Sequence, residues 1–281
     1  MRILVTGATG FIGNHLIPIL LARGAEVIAT YRNRDAAMER PWASDVTWRE
    51  LDIFSPPNAP FEALEAPDRM VHLAWHGLPN YKDSFHLDKN LPADTFFLTR
   101  LMEGGLKHLL AIGTCFEYGL QEGELSETMP AEPNTVYGKA KLALQQRLQD
   151  AAAEHGTVFQ WARLFYTYGK GQNPNSLFAQ LQKAIDNGEK TFNMSGGQQI
   201  RDYLPVEQLT AVLASIALQK ETTGIINVCS GRSLTVQELV QEYIDKQKAT
   251  IALNLGYYPY PDYEPFKFWG STRKLERVYG N

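Results

Sequence analysis

Tyr137-Gly-Lys-Ala-Lys141 sets a phenol and an amine four residues apart. On a helix, positions i and i+4 share one face, so both groups can point into one cleft. The ammonium stabilises a phenolate and draws the phenol's pKa down from about 10. A phenol tuned in this way exchanges a proton with a hydroxyl or a carbonyl near neutral pH. Such pairs also stand on ordinary solvated helices, and Thr114 distinguishes this one. It follows residues 107–112, a predicted parallel strand. Ligands of parallel sheets bind beyond the carboxyl ends of strands, so Thr114 is placed to hold the oxygen whose proton Tyr137 handles.

A second chemical signal is Gly7-Ala-Thr-Gly10-Phe-Ile-Gly13. It lies between the apolar run at residues 1–6 and a helical pattern over 11–22 that Gly24 closes. Glycines in a strand–loop–helix setting form a dinucleotide-binding signature. Gly7 admits the tight turn, Gly10 lets a pyrophosphate approach the backbone, and Gly13 permits close packing of helix and sheet. The helix N-terminus adds unpaired amide hydrogens and a partial positive charge. The spacing is Gly-x-x-Gly-x-x-Gly rather than Gly-x-Gly-x-x-Gly. The exit of the second strand, residues 26–30, selects between nicotinamide cofactors. An acid there accepts hydrogen bonds from the ribose of NAD. This chain has Thr30-Tyr-Arg32-Asn-Arg34 instead, with Asp35 late in the loop. Arg32 in that place pairs with a 2′-phosphate through a charge-assisted contact. The expectation is NADP(H), with NAD(H) the alternative; a solvated arginine pair is the bland reading.

These groups need a frame. Residues 46–51, 70–75 and 158–165 read as further strands, and 91–106 and 136–154 as helices. Strands alternating with helices imply a doubly wound parallel α/β sheet covered on both faces, with right-handed crossovers. After about residue 166 the pattern changes. Helices are predicted at 177–187 and 209–218, and short strands near 190–193 and 225–228. Thr235-Val-Gln-Glu238 is a capping box, with Leu234 and Leu239 as its hydrophobic staple. It opens one more helix, ending near Lys248. The expected division is a dinucleotide-binding domain at 1–165 and a smaller α/β substrate domain at 166–281. About residues 203–220 of the latter are expected to pack back on the first.

The 281 residues are 44% hydrophobic and 21% charged, enough for a full core without a staple or a structural metal. A net charge of -4 argues against a nucleic-acid partner. Cys115 and Cys229 read as free buried thiols of a reducing compartment. No apolar run approaches the ~20 residues of a membrane span. The strand at residues 1–6 stands where a signal peptide would be. A cytoplasmic protein without a membrane partner is expected. His72 and His76 lack a carboxylate in a ligand pattern, so no metal site is expected. His76, at a strand exit, is a candidate substrate contact. Cys115 has no neighbouring histidine to activate it and reads as core. Tyr257, Tyr258, Tyr260, Tyr263, Phe266, Phe268 and Trp269 form either a base-stacking wall or the smaller domain's core.

Taken in order, several motifs resemble the extended short-chain dehydrogenase/reductase family of nucleotide-sugar epimerases, dehydratases and reductases, over nearly the whole chain. They are Thr6-Gly-Ala-Thr-Gly-Phe-Ile-Gly13, Leu51-Asp52-Ile53, His72-Leu-Ala-Trp75, Asn90 and Gly113-Thr-Cys-Phe-Glu-Tyr-Gly119. Tyr137-Gly-Lys-Ala-Lys141, Arg163-Leu-Phe165 and Arg201-Asp-Tyr-Leu-Pro-Val206 complete the set. The resemblance implies a Rossmann domain with cofactor contacts at Gly7, Thr9, Gly10, Phe11, Ile12, Gly13, Ile53, Leu73, Ala74 and Trp75. It implies Asp52 on the adenine, Thr114 and Tyr137 as catalytic groups and Lys141 on the nicotinamide ribose. It further implies Arg201 near a substrate diphosphate, and a homodimer paired through residues 91–106 and 136–154.

The departures narrow the reaction. The family's 4,6-dehydratases carry Asp and Glu directly after the catalytic threonine; here Cys115 and Phe116 offer neither acid nor base. The Asn common after the Arg-Leu-Phe run is Tyr166, a changed substrate contact. The expectation is NADP(H)-dependent reduction of the 4-keto group of a nucleotide-activated 6-deoxysugar, with Tyr137 as proton donor. The alternatives are an epimerase that retains NAD and a catalytically silent cofactor-binding scaffold. The intact Tyr137–Lys141 pair disfavours the scaffold.

Overall fold

Strands covered on both faces read as unbroken apolar runs, and Ile3, Leu4 and Val5 are all fully buried. The computed structural model describes residues 1–279. In chain order the sheet-forming unit contains β1 (Arg2–Thr6), α1 (Phe11–Ala22), β2 (Glu26–Tyr31), β3 (Thr47–Glu50) and β4 (Arg69–His72). It continues with α2 (Leu91–Glu103), β5 (His108–Thr114), α3 (Val136–His155) and β6 (Val158–Leu164). Beyond these lie α4 (Leu177–Asp186), α5 (Val206–Leu218), β7 (Gly224–Val228) and α6 (Val236–Gln247). The seven strands form one parallel sheet in the order β7-β6-β5-β4-β1-β2-β3.

Successive residues of a strand face opposite layers. Ile3 and Val5 face α1 and α5 with Leu16, Leu20, Leu209 and Leu213. Leu4 faces α2 and α3 with Phe97, Leu101, Leu144 and Leu148. Residues 206–228 therefore return to the sheet: α5 packs on α1, and β7 pairs with β6. The stretch expected to return, about 203–220, covers α5; β7 lies just beyond it. The smaller layer is built from α4 and α6 around Phe178, Leu181, Phe192, Val240 and Ile244. The Thr235 hydroxyl accepts from Glu238 N–H, and the Glu238 carboxylate accepts from Thr235 N–H. The capping box at the start of α6 is thus formed.

Some boundaries differ from the sequence pattern. β4 stops at His72 rather than at residue 75, because β1 ends opposite it at Thr6 and turns into the glycine loop. α2 stops at Glu103, where a Cβ on Gly104 would come within 2.4 Å of Phe61. The aromatic tail does not form the smaller layer's core. Tyr257, Tyr258, Tyr260 and Phe266 are exposed, and Phe268 joins a separate cluster with Cys115, Tyr118 and Cys229. Both cysteines are free and buried. Among the described residues no helix is long and apolar enough to cross a membrane.

The amino ends of the strands are tied by a polar chain. Arg69 Nη1 on β4 donates to His108 Nδ1 at 2.6 Å and to the carbonyls of Ala217 and Gln219. His108 Nε2 is 2.6 Å from Gln160 Oε1 on β6, and Gln160 Nε2 donates to Thr222 O. His108 is thereby neutral, with its proton on Nε2. Burial pushes its pKa down to about 4. Between about 4 and 6.5 the unfolded chain binds a proton that the folded chain refuses, so stability falls as pH drops through that window. Thermal unfolding followed from about pH 7 to about pH 4 is expected to lose roughly 3 kcal/mol at most through this group. His108→Gln, which does not titrate, is expected to flatten that slope.

Candidate active site

β5 runs unbroken to Thr114, so the candidate threonine is the last residue of a central strand. The turn that follows, Cys115–Tyr118, is held by a second capping box: Thr114 Oγ1 accepts from Phe116 N–H, and Glu117 Oε1 accepts from Thr114 N–H at 2.8 Å. The fully buried Glu117 carboxylate also accepts from Trp161 Nε1 at 3.0 Å and from Arg163 Nε at 2.9 Å, with Arg163 Nη2 at 2.8 Å. A Cβ on Gly113 would lie 2.1 Å from Trp161 Nε1 and 2.5 Å from Glu117 Oε1, so this close approach requires glycine.

α3 brings the phenol and the amine to that strand end. Thr135 caps it through Gly138 N–H, and Tyr137 N–H donates to Tyr81 O. Lys141 is 3% exposed; its Nζ donates to Ile112 O at 2.8 Å and stands 3.9 Å from the centre of the Trp75 ring. Desolvation pushes its pKa down to about 8, against the attraction of Asp94 and Glu117. Tyr137 sits among Trp75, Tyr81, His86 and Phe116, with ring centroids 5.3–6.2 Å away. Burial pushes its phenol well above the usual range, and the nearby Thr114 side chain works the other way. This is the reverse of the lowering expected from Lys141: desolvation dominates and keeps the phenol protonated.

Gly7, Thr9, Gly10, Arg32, Ile53, Leu73, Ala74, Trp75 and His76 line a cavity of about 320 Å³ at the carboxyl ends of β1, β2 and β4. Gly7 has φ +67°, and a Cβ there would lie 2.9 Å from Ala74 N. A Cβ on Gly13 would strike the carbonyls of Gly7 and Ala8, so this glycine serves the loop's own packing rather than a helix–sheet contact. Gly10 caps α1 with no side-chain acceptor, which leaves the first-turn amides for an anion. Glycine walls, an uncapped helix start and Arg32 at the far side fit an anionic dinucleotide. Arg34 opens a short helix, Arg34–Met38, that Asn33 caps. The Asp52 carboxylate accepts from Phe54 N–H beside this cavity. Phe11 packs edge-on against His15 and is not one of the cavity's lining residues. Ile12 packs against the core of the α1 layer.

A second cavity, of about 240 Å³, is lined by Tyr166, Gln199, Arg201, Tyr203, Tyr258 and Glu264 among others. Arg201 is 3% exposed and already engaged. Its Nε and Nη2 donate to Glu264 Oε2 at 3.1 and 2.9 Å, and its Nη1 donates to the carbonyls of Ile200 and Phe266. An incoming phosphate must share this cation with Glu264. The Tyr166 ring stacks on Tyr203 at 5.0 Å, and its buried hydroxyl has no partner among the described residues. His76 lines the first cavity and not this one.

Tyr137 lies between the two. Trp75, from the first wall, is edge-on to Tyr137, and Phe116 is edge-on to both Tyr137 and Tyr166 of the second wall. Sequence reasoning missed His86, Tyr81 and Glu264. It also passed over Glu117, although Thr114-x-x-Glu117 has legible capping-box spacing.

A parallel sheet with a glycine cradle at its carboxyl edge and a threonine, tyrosine and lysine beside it defines a nicotinamide-dependent enzyme. Residues 3–229 match the NAD dependent epimerase/dehydratase family, and the chain belongs to it. The chain is 28% identical to a dTDP-6-deoxy-L-talose 4-dehydrogenase (NAD(+)) of Aggregatibacter actinomycetemcomitans, over 96% of this chain and 100% of that protein. It is 30% identical to a dTDP-6-deoxy-L-talose 4-dehydrogenase (NAD(P)(+)) of Kitasatospora kifunensis, over 87% of this chain and 79% of the relative. Among solved structures, MoeE5 in complex with UDP-glucuronic acid and NAD superposes with a TM-score of 0.83 at 25% identity, covering 100% of this chain and 93% of that one.

Two expectations follow from the geometry. Glu117→Gln leaves Arg163 buried without its counter-charge and is expected to cost about 3 kcal/mol in denaturant unfolding. Turnover is expected to fall with it, because Thr114 N–H loses a charged acceptor. Turnover is also expected to decline as pH rises through about 8, where Lys141 gives up its proton. Lys141→Met is expected to abolish this alkaline decline along with most of the rate.

Proposed function

We propose that this enzyme reduces the 4-keto group of a nucleotide-activated 6-deoxysugar with NADP(H). One observation carries the reading: Tyr137, protonated by burial, packs on Trp75 of the glycine-lined cavity and, through Phe116, on Tyr166 of the cavity that holds Arg201. Gly7, Thr9, Gly10 and the start of α1 would hold the pyrophosphate, Arg32 a 2′-phosphate, and Leu73 to Trp75 the nicotinamide half. When bound, the nicotinamide supplies hydride to the ketone carbon.

The chain's own groups do the rest. Tyr137 donates its phenolic proton to the ketone oxygen, which Thr114 Oγ1 holds in place. A phenol with a raised pKa stays protonated across the neutral range and so suits donation. The Lys141 ammonium lies on the same helix face and stabilises the phenolate left behind. Arg201, shared with Glu264, anchors the diphosphate and orients the ketone for attack. Cys115 and Phe116 offer no acid or base for loss of water. The relatives named as 6-deoxytalose 4-dehydrogenases support the same class of reaction run in the oxidising direction. Pairing of α2 and α3 into a homodimer is part of the proposal; Phe96 on α2, 56% exposed, is apolar surface that such pairing would cover. Two buried free thiols suit a cytoplasmic location.

Incubation with a nucleotide 4-keto-6-deoxyhexose and NADPH should consume absorbance. Tyr137→Phe is expected to lose on the order of 10²–10⁴ in kcat. Undiminished turnover in that variant would sink the proton-donor assignment. Arg32→Ala is expected to raise KM for NADPH by roughly thirtyfold, about 2 kcal/mol, and to leave KM for NADH almost unchanged. NAD released from the denatured protein, together with interconversion of two sugar epimers, would establish the epimerase reading instead.

A further inference from the structure

No motif marks His86, yet it is fully buried against the catalytic phenol. Its ring lies parallel to the Trp75 indole within 18°, and Trp75 Nε1 donates to His86 Nδ1 at 3.1 Å. Asn90 Nδ2 donates to His76 O at 2.9 Å and reaches the same His86 Nδ1 at 3.3 Å. The His76 carbonyl only accepts, so the Asn90 amide orientation is settled, and Nδ1 faces two donors. On the other side His86 Nε2 lies 3.0 Å from Asn80 O, also a pure acceptor. The proton therefore sits on Nε2 and the lone pair on Nδ1.

Resting on the reading of Tyr137 and Lys141 as catalytic, we propose that neutral His86 is a positioning residue for that pair. It acts through Trp75. The hydrogen bond to Nδ1 fixes the plane of the indole, and the indole face seats the Lys141 ammonium at 3.9 Å while its edge meets Tyr137. A proton on Nδ1 would face the Trp75 and Asn90 donors and would release the indole from its latch. The charged and titratable groups around the ring are Lys141 and Tyr137 on α3 and Asp83 on its own loop. Burial is the largest effect and disfavours the imidazolium; the Asn80 carbonyl and then Asp83 work the other way, and Lys141 adds the smallest push against it. The latch is thus closed at neutral pH and opens on the acid side.

Histidine ¹⁵N NMR of the whole protein tests the latch without turnover. At neutral pH His86 is expected to show a bare Nδ1 and a protonated Nε2, and the Trp75 indole N–H is expected to shift with the His86 titration. A protonated Nδ1 at neutral pH would overturn the proposal whether or not any ketosugar is reduced, so failure here and failure of the proposed reaction are distinguishable. The pH profile supplies the second arm. Wild-type kcat is expected to fall on the acid side as His86 takes its proton. His86→Gln is expected to lose that acid limb and roughly tenfold in kcat, with KM for the sugar little changed. Trp75→Phe keeps an aromatic face but lacks the N–H, and it is expected to cost about as much. The double variant should be no worse than either single one. An acid limb that persists in His86→Gln, or losses that simply add, would rule the latch out.

Discussion

The Glu117 carboxylate is the interaction on which the reacting end of the sheet depends. It accepts from the Thr114 amide, the Trp161 indole and the Arg163 guanidinium at once, and so joins the exit of β5 to the neighbouring strand β6. A buried ion pair contributes little net stability, because desolvating both charges offsets their attraction. Its value here is geometric. With Glu117 holding Arg163 through Nε and Nη2, the turn that carries Thr114 is tied to β6, and α3 can seat Tyr137 against it.

The two ends of the sheet are built for different work. At the amino ends, Arg69, His108 and Gln160 knit three strands and the returning chain into a polar chain whose groups are spent on one another. At the carboxyl ends polar groups are left partly unspent: an uncapped helix start with glycine walls, and the Tyr166 hydroxyl, which has no partner among the described residues. Rigidity at one end allows open valences at the other. The loop over residues 77–86 closes the arrangement, since Tyr81 lies against Tyr137, Phe116 and Tyr263 of the tail.

Much of this frame was legible in the chain. The strand–loop–helix of residues 1–22 was readable because glycine spacing and apolar periodicity are local properties. The capping box at Thr235 was readable for the same reason. Tyr137 and Lys141 were legible as a pair because four residues on a helix is a fixed geometry. The site's electrostatics were not. A four-residue spacing suggests that Lys141 lowers the Tyr137 pKa, yet burial among rings from distant segments raises it. Arg201 was legible as a cation, but its commitment to Glu264, 63 residues away in sequence, was not.

What the sequence determined by itself was therefore the order of elements and the chemical types at their ends, because hydrophobic period, capping and glycine tolerance each act within a few residues. Only the tertiary structure decided which of those groups remain available. His86 became a neighbour of Tyr137, and Arg201 was shared with a carboxylate. Desolvation and hydrogen-bond satisfaction depend on everything packed around a group, and those neighbours come from distant parts of the chain.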